Sequence, residues 1–432
     1  MLRTFFVIFC VLLILSSCTS VKKIAFETDL TRIINKSEVF EDELVGFSLY
    51  DPSNDKFLIN INADKYFTPA SNVKAFTFFT TNAILGDSIP SFAYTRRGDS
   101  LFVRPLGDPT FLHQDFQEQN AIHRLKQFPD DKIFISYPDI ALKPFGPGWA
   151  WDDYEYEFQP ERHPLPIYGN VISISVSDSL TTISPKFFEN FVEIGSQRPA
   201  GRMADHNIFY LSEMVPAGDT LERLIPFRTS RELHHQLLSD TLNKTLMEVS
   251  GVDYFMSDTI YNGRSLPMYA TMMLRSDNFL AEQMLYMSTL EKNRSSIHEH
   301  IEELANNELV FLPDSLIWVD GSGLSRYNMI TPRNQIALYT RIYRSMEWDR
   351  IQLVFPNGGV SGTIKNWYED EEEPYIFAKT GTLRHNHCLS GFLKTKTGRV
   401  LVFSWMNNHY TRPVSDIKVE MQKIFESIRD NY

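Results

Sequence analysis

Ser71-Asn72-Val73-Lys74 sets a hydroxyl and an amine three residues apart, just after Pro69-Ala70 and at the head of a largely apolar run closed by Gly86. On a helix, that spacing puts both side chains on one face, one turn apart. The hydroxyl then stands at the helix N-terminus, where free N–H groups and the dipole favour developing negative charge. A neutral amine within reach can take the hydroxyl proton. Burial and a second nearby cation, Lys379, would both push the Lys74 pKa down. The chemistry this implies is acyl transfer through a serine nucleophile. Two more polar motifs follow in order, Ser276-Asp277-Asn278 and Lys379-Thr380-Gly381-Thr382. Singly each is weak: S-x-x-K recurs at Ser20, Ser53 and Ser415, and K-T-G recurs at Lys396. S-D-N occurs once, and the order of the three is what carries weight.

The elements that must position these groups can be read from pattern. Strand-like runs at 44–50 and Lys56–Ile61 flank the turn 51–55, a hairpin. A helix is expected over 72–85, apolar almost all round and therefore buried on most faces. From about 90 to 256, short strand-like pieces (101–104, 132–136, 171–176, 207–211) alternate with Pro, Gly and Asp turns, and a helix candidate near 230–249 closes the region. Helices are expected over 269–291, 295–307 and 332–346, strands over 375–379, 388–394 and 400–406, and a last helix over 414–429. The result is α+β, with a strand-rich domain inserted between the first and second motifs. The corresponding division is 28–89 with 262–432 for the catalytic domain and 90–261 for the insertion, in one lobe or two. Apolar Phe377 and Ala378 precede Lys379, whereas Lys396-Thr397-Gly398 has the polar, glycine-ended look of a hairpin loop.

Residues 1–17 read as a signal peptide, with Arg3 before an apolar core too short to span a bilayer. Leu15-Ser16-Ser17-Cys18 resembles the lipobox of bacterial lipoproteins, which implies that Cys18 is acylated, that 18–27 is a tether, and that the protein is held at a membrane. Of the other cysteines, Cys10 leaves with the signal and Cys388 is alone, so the body stands without a disulfide. The net charge of −12 argues against nucleic acid. The histidines show no metal-ligand period: His298-Glu299-His300 and His385-Asn386-His387 are spaced as in plain loops. The acidic run 369–373 reads as a solvated loop. The aromatic group Trp149, Trp151, Tyr154, Tyr156 and Phe158 reads as core and rim of the insertion rather than a carbohydrate platform. Ser322 and Ser325, in a glycine-rich run, read as a tight turn near the active site.

The ordered trio resembles that of class A β-lactamases and penicillin-binding proteins. Further marks resemble the class C low-molecular-mass penicillin-binding proteins, the D-alanyl-D-alanine carboxypeptidase/endopeptidase family. These are Pro69-Ala70-Ser71, Gly107-Asp108-Pro109-Thr110, Pro147-Gly148-Trp149 with Trp151-Asp152-Asp153, the run from Asp320 to Arg326, the run from Gly358 to Thr363, and Ser390-Gly391-Phe392. The separation of 205 positions from Ser71 to Ser276 also matches that family's insertion rather than a β-lactamase.

The resemblance implies a penicillin-recognising serine transferase fold and hydrolysis of peptidoglycan stem peptides through an acyl-enzyme on Ser71. It also implies covalent inhibition by β-lactams, a periplasm-facing location in the bacterial envelope, and no cofactor. Ser276 can then relay a proton to the leaving amine, and Asn278 can hold Lys74 and the substrate amide. The Lys379 strand can pair with the peptide, Thr380 and Thr382 can bond a C-terminal carboxylate, and Gly381 between them counts with the substrate-binding residues. Backbone N–H groups of Ser71 and Thr382 can form the oxyanion hole. Asp153, with Asp152 as alternative, is implied near the free amine of the stem's diamino acid. Asn72-Val73 departs from the family's usual Thr-Gln. The rival readings are a β-lactamase or esterase of the same fold, and a silent peptidoglycan-binding protein; intact Ser71, Lys74, Ser276, Asn278 and Lys379 argue against the latter.

Overall fold

The computed structural model describes residues 27–129, 132–177, 180–195, 200–211, 220–250 and 256–432. The leader and Cys18 lie outside the described residues. Two compact units emerge. Of the described residues, the first holds 27–72, Phe311–Ile317 and Met329–Tyr432; the second holds those from Val73 to Val310 and Trp318–Asn328.

The first unit is built on a five-stranded antiparallel sheet in the order Ile376–Leu383, Asn386–Lys394, Val400–Asn408, Leu44–Asp51, Lys56–Ile61. The helix Val414–Asn431 buries Ile417, Met421, Ile424, Phe425 and Ile428, a single helical face. Phe425 meets Phe403 at 4.6 Å and Trp405 at 5.7 Å between ring centroids. Burying an apolar side chain of that size contributes roughly 1.5–3 kcal/mol. On the opposite side of the sheet lies the helix Pro332–Ser345, where Tyr339 meets Phe392 at 5.4 Å. This helix starts where it does because Pro332 occupies its first turn and the Thr331 hydroxyl accepts the Asn334 N–H. The third-motif strand is thereby registered at the sheet edge, with Lys379 opposite Ser390 and Gly381 opposite Cys388.

The second unit carries the helices Lys74–Leu85, Ser265–Arg275, Asn278–Glu291 and Ile297–Asn307. It also holds a five-stranded mixed sheet in the order Thr245–Glu248, Lys132–Ile135, Ser100–Pro105, Ser88–Arg97, Asp258–Arg264, and two three-stranded sheets. A shared core of Phe92, Phe111, Ile133, Ile172, Phe188, Phe209 and Phe227 joins them.

The α+β expectation holds, with helices and mainly antiparallel sheets and a strand-rich region between the first two motifs. Two expected helices need correction. The one near 230–249 stops at Leu242, where Asn243 takes a left-handed conformation, and Thr245–Glu248 is a strand beside Lys132–Ile135. The one over 269–291 is two helices, broken at Ser276 and Asp277.

Candidate active site

Five candidate residues belong to the first unit. Ser71 is half-buried in the tight turn Ala70–Val73 that runs straight into the helix Lys74–Leu85. Ala70 just before it has φ +48°, the left-handed region that a Cβ disfavours by roughly 1–2 kcal/mol. What fixes this turn is the third-motif strand. Asn72 Nδ2 donates to the Lys379 carbonyl at 3.1 Å, and Gln335 Nε2 donates to the Asn72 carbonyl at 3.4 Å. Gly381 passes directly against the turn, so that any side chain there would collide with Pro69 and Asn72. Lys379 is fully buried, and its amine donates to the Thr380 carbonyl at 2.8 Å. Thr380 and Thr363 share a hydrogen bond at 2.7 Å. Thr382 is exposed, and its hydroxyl lies 2.9 Å from His387 Nδ1. His387 is buried, and burial pushes its pKa down to about 3, so the ring is neutral.

The remaining motif residues belong to the second unit. Lys74 is fully buried at the start of its helix. Its amine donates to Asn278 Oδ1 at 2.5 Å and to the Ser322 carbonyl at 2.7 Å. Burial pushes its pKa down to about 8, against the opposing pull of Asp277, Asp320 and Glu282. Burial is the largest of these effects and sets the direction. Ser276 caps the helix Ser265–Arg275 in a left-handed conformation (φ +59°). Asp277 caps the next helix, its carboxylate accepting the Leu280 N–H at 2.8 Å. The break between the helices turns Asn278 toward Lys74, and Asn278 Nδ2 donates to the Phe158 carbonyl at 2.8 Å.

Beneath Lys74 lies a charged network that sequence reasoning missed. Glu282 Oε1 accepts the Ser322 N–H at 2.8 Å, and Glu282 Oε2 pairs with Arg162 at 3.1 Å, both side chains buried. Asp320 accepts from Trp149 Nε1 and from the N–H groups of Gly323 and Ser325 at 2.7–2.9 Å, folding the glycine-rich run into the tight turn that presents the Ser322 carbonyl. Asp320-Gly321-Ser322-Gly323 was visible as a mark, but nothing in the letters says that a backbone carbonyl would be the ligand of the lysine. Asp153 closes the short turn Trp151–Asp153. Its carboxylate makes no hydrogen bond among the described residues, and burial, then Asp152, raise its pKa while Arg326 lowers it.

The fold is shared with a solved penicillin binding protein. The crystal structure of penicillin binding protein 4 (dacB) from Haemophilus influenzae superposes with a TM-score of 0.72 at 18% identity, over 93% of this chain and 98% of that one. The model of the D-Ala-D-Ala carboxypeptidase 3 (S13) family matches residues 26–190 and 227–427, and the chain belongs to that family of serine-type hydrolases. The chain is also similar to penicillin-sensitive carboxypeptidase A of Dictyostelium discoideum, 22% identical over 410 residues, 80% of this chain and 78% of that protein. D-alanyl-D-alanine carboxypeptidase DacB of H. influenzae is 29% identical over 119 residues, 27% of this chain and 25% of that protein.

Proposed function

We propose that this family member hydrolyses the D-alanyl-D-alanine end, the D-centred crosslink, or both, of peptidoglycan stem peptides through an acyl-enzyme on Ser71. The observation that carries the reading is the state of Lys74: a buried amine, one helical turn from Ser71 in sequence, held by Asn278 and Ser322, with its pKa brought down to about 8. An amine near neutrality can accept the serine proton as Ser71 Oγ attacks the carbonyl carbon. N–H groups of Ser71 and Thr382 receive the oxyanion, and Ser276 passes the proton to the departing amine. Water then attacks the ester carbonyl, its hydroxyl staying on the acyl carbon and its proton passing to Ser71 Oγ as that oxygen leaves. The Lys379 strand pairs with the peptide, Thr380 and Thr382 bond the substrate's terminal carboxylate with Gly381 between them, and Asp153 reads the amine of the diamino acid. We assign 28–89 with 262–432 to this catalytic task and 90–261 to the insertion.

The proposed setting is the bacterial envelope, with Cys18 lipidated and the body facing the periplasm. No helix among the described residues is long and apolar enough to cross a membrane. A penicillin incubated with the protein should form a covalent adduct that peptide mapping by mass spectrometry assigns to the peptide holding Ser71. Ser71→Ala should lose both the adduct and D-alanine release. Rapid turnover without a lasting adduct would point to a β-lactamase instead, and an adduct on Ser276 or Ser415 would overturn the assignment.

A further inference from the structure

The aromatic group expected as core and rim is mostly rim. Trp151 is 83% exposed, the most exposed large apolar side chain among the described residues. Tyr156 and Phe158 are also exposed, their rings nearly parallel at 10° with centroids 5.5 Å apart. Tyr327, 62% exposed, packs its ring against Gly148. Exposed aromatics gathered in one short segment mark a recognition surface when they are held in place. These are held. Gln159 Nε2 donates to the Ala150 carbonyl at 3.0 Å, closing the segment on itself, and the Asp153 and Tyr156 N–H groups bond inside it. Trp149 is tied to Asp320, and the Tyr154 hydroxyl donates to the Arg202 carbonyl, with the Arg202 guanidinium 5.1 Å from the Tyr154 ring. Phe158 is joined through its carbonyl to Asn278 of the second motif.

The chemistry between the rings selects the partner. Asp152 and Glu157 are exposed among them, and Glu155 is half-buried. An apolar protein face or a lipid would cover the rings only by desolvating those carboxylates without partners. A sugar has no such conflict: its C–H face stacks on aromatic rings while its hydroxyls donate to carboxylates. We propose that residues 149–158, with Tyr327, form a platform for the pyranose rings of the peptidoglycan glycan strand, keeping the enzyme on the polymer while it works on the stems. The proposal rests on the peptidoglycan-peptidase reading.

The probe is glycan strands stripped of their stem peptides, titrated against the full protein and followed by tryptophan fluorescence and by calorimetry. Wild type should bind. Trp151→Ala should weaken binding about tenfold, and Trp151→Phe, which keeps a ring, should recover most of it. Trp151→Ala should also lose about fivefold of D-alanine release from intact sacculi while its penicillin acylation rate stays within about twofold. Failure of wild type to bind stripped strands overturns the proposal, as does an equal loss of penicillin acylation in Trp151→Ala. Stripped strands carry no scissile bond, so binding without any acylation sustains the platform and sinks the peptidase reading.

Discussion

Gly381 runs so close to Pro69 that a Cβ built on it would lie 2.4 Å from the Pro69 carbonyl oxygen. The glycine of the third motif is therefore a spacing device: it lets the strand press against the turn that carries Ser71. Gly381→Ala must push backbone away from backbone, an overpacking cost of about 1–3 kcal/mol. The expected outcome is a lower melting temperature and penicillin acylation slowed by about tenfold or more. Acylation at the wild-type rate would show that the close approach does not set the nucleophile.

The protonation state of Lys74 should govern the pH profile. Its pKa, lowered by burial to about 8, leaves the amine mostly charged at lower pH, and the charged form cannot accept a proton. Acylation should rise about tenfold per pH unit below 8 and level off above it. Asp277 is the strongest of the charges that favour the protonated amine. Asp277→Asn keeps a good helix cap while removing that charge, so the rise should move to lower pH. Stopped-flow labelling across pH reads both, and a shift to higher pH would contradict the electrostatic account.

Of the two K-T-G triplets, only the first should matter. Lys379 is buried, whereas Lys396 is exposed at a hairpin turn, 3.2 Å from Asp430. Lys379→Ala should cost on the order of a hundredfold or more in acylation rate. Lys396→Ala should leave it within about twofold, as surface substitutions usually do. Equal impairment of the two variants would defeat the assignment.

Asp153 bears a carboxylate that serves no hydrogen bond among the described residues, although Asp is usually at home in caps and turns. Asp153→Asn should raise KM for diaminopimelate-containing peptides by roughly tenfold, the scale of one charge-assisted contact, and spare small ester substrates. Comparable losses on both substrates would indicate a folding defect rather than a lost contact.

The lipid anchor is tested by fractionation. Cys18→Ser should leave the membrane fraction and stop incorporating labelled fatty acid. Unchanged partitioning would mean that the anchor lies elsewhere or that there is none.

Much of this fold was legible because its strongest patterns are local. The strands around Leu44–Asp51 and Val400–Asn408 alternate or run apolar between clear turns, and the helix Val414–Asn431 shows one continuous apolar face. What escaped depends on distant partners. Thr245–Glu248 is a strand because Lys132–Ile135 lies beside it, and Asp258–Arg264 because Ser88–Arg97 does. The break at Ser276 interrupts an apolar periodicity that continues on both sides, and neither Ser276 nor Asp277 is a strong breaker. Motif letters singled out Lys74 and Asn278, which the structure brings into contact, yet the Ser322 carbonyl and the Glu282–Arg162 pair were out of reach, since a main-chain acceptor has no letter. His387, spaced like a loop residue, lies on a strand and bonds Thr382, because the edge-strand register brings it there.

Cys388 is sealed in the sheet opposite Gly381, with no disulfide partner and with burial pushing its thiol pKa up. A thiol that cannot ionise and cannot be reached is inert to exchange. While folded, the described body is thus closed to thiol–disulfide exchange, and it can be stored and assayed with or without thiol reagents. A cysteine introduced on the surface, in place of the exposed hairpin residue Lys396 for instance, would then be the single reactive thiol of the described residues and a clean place for a dye.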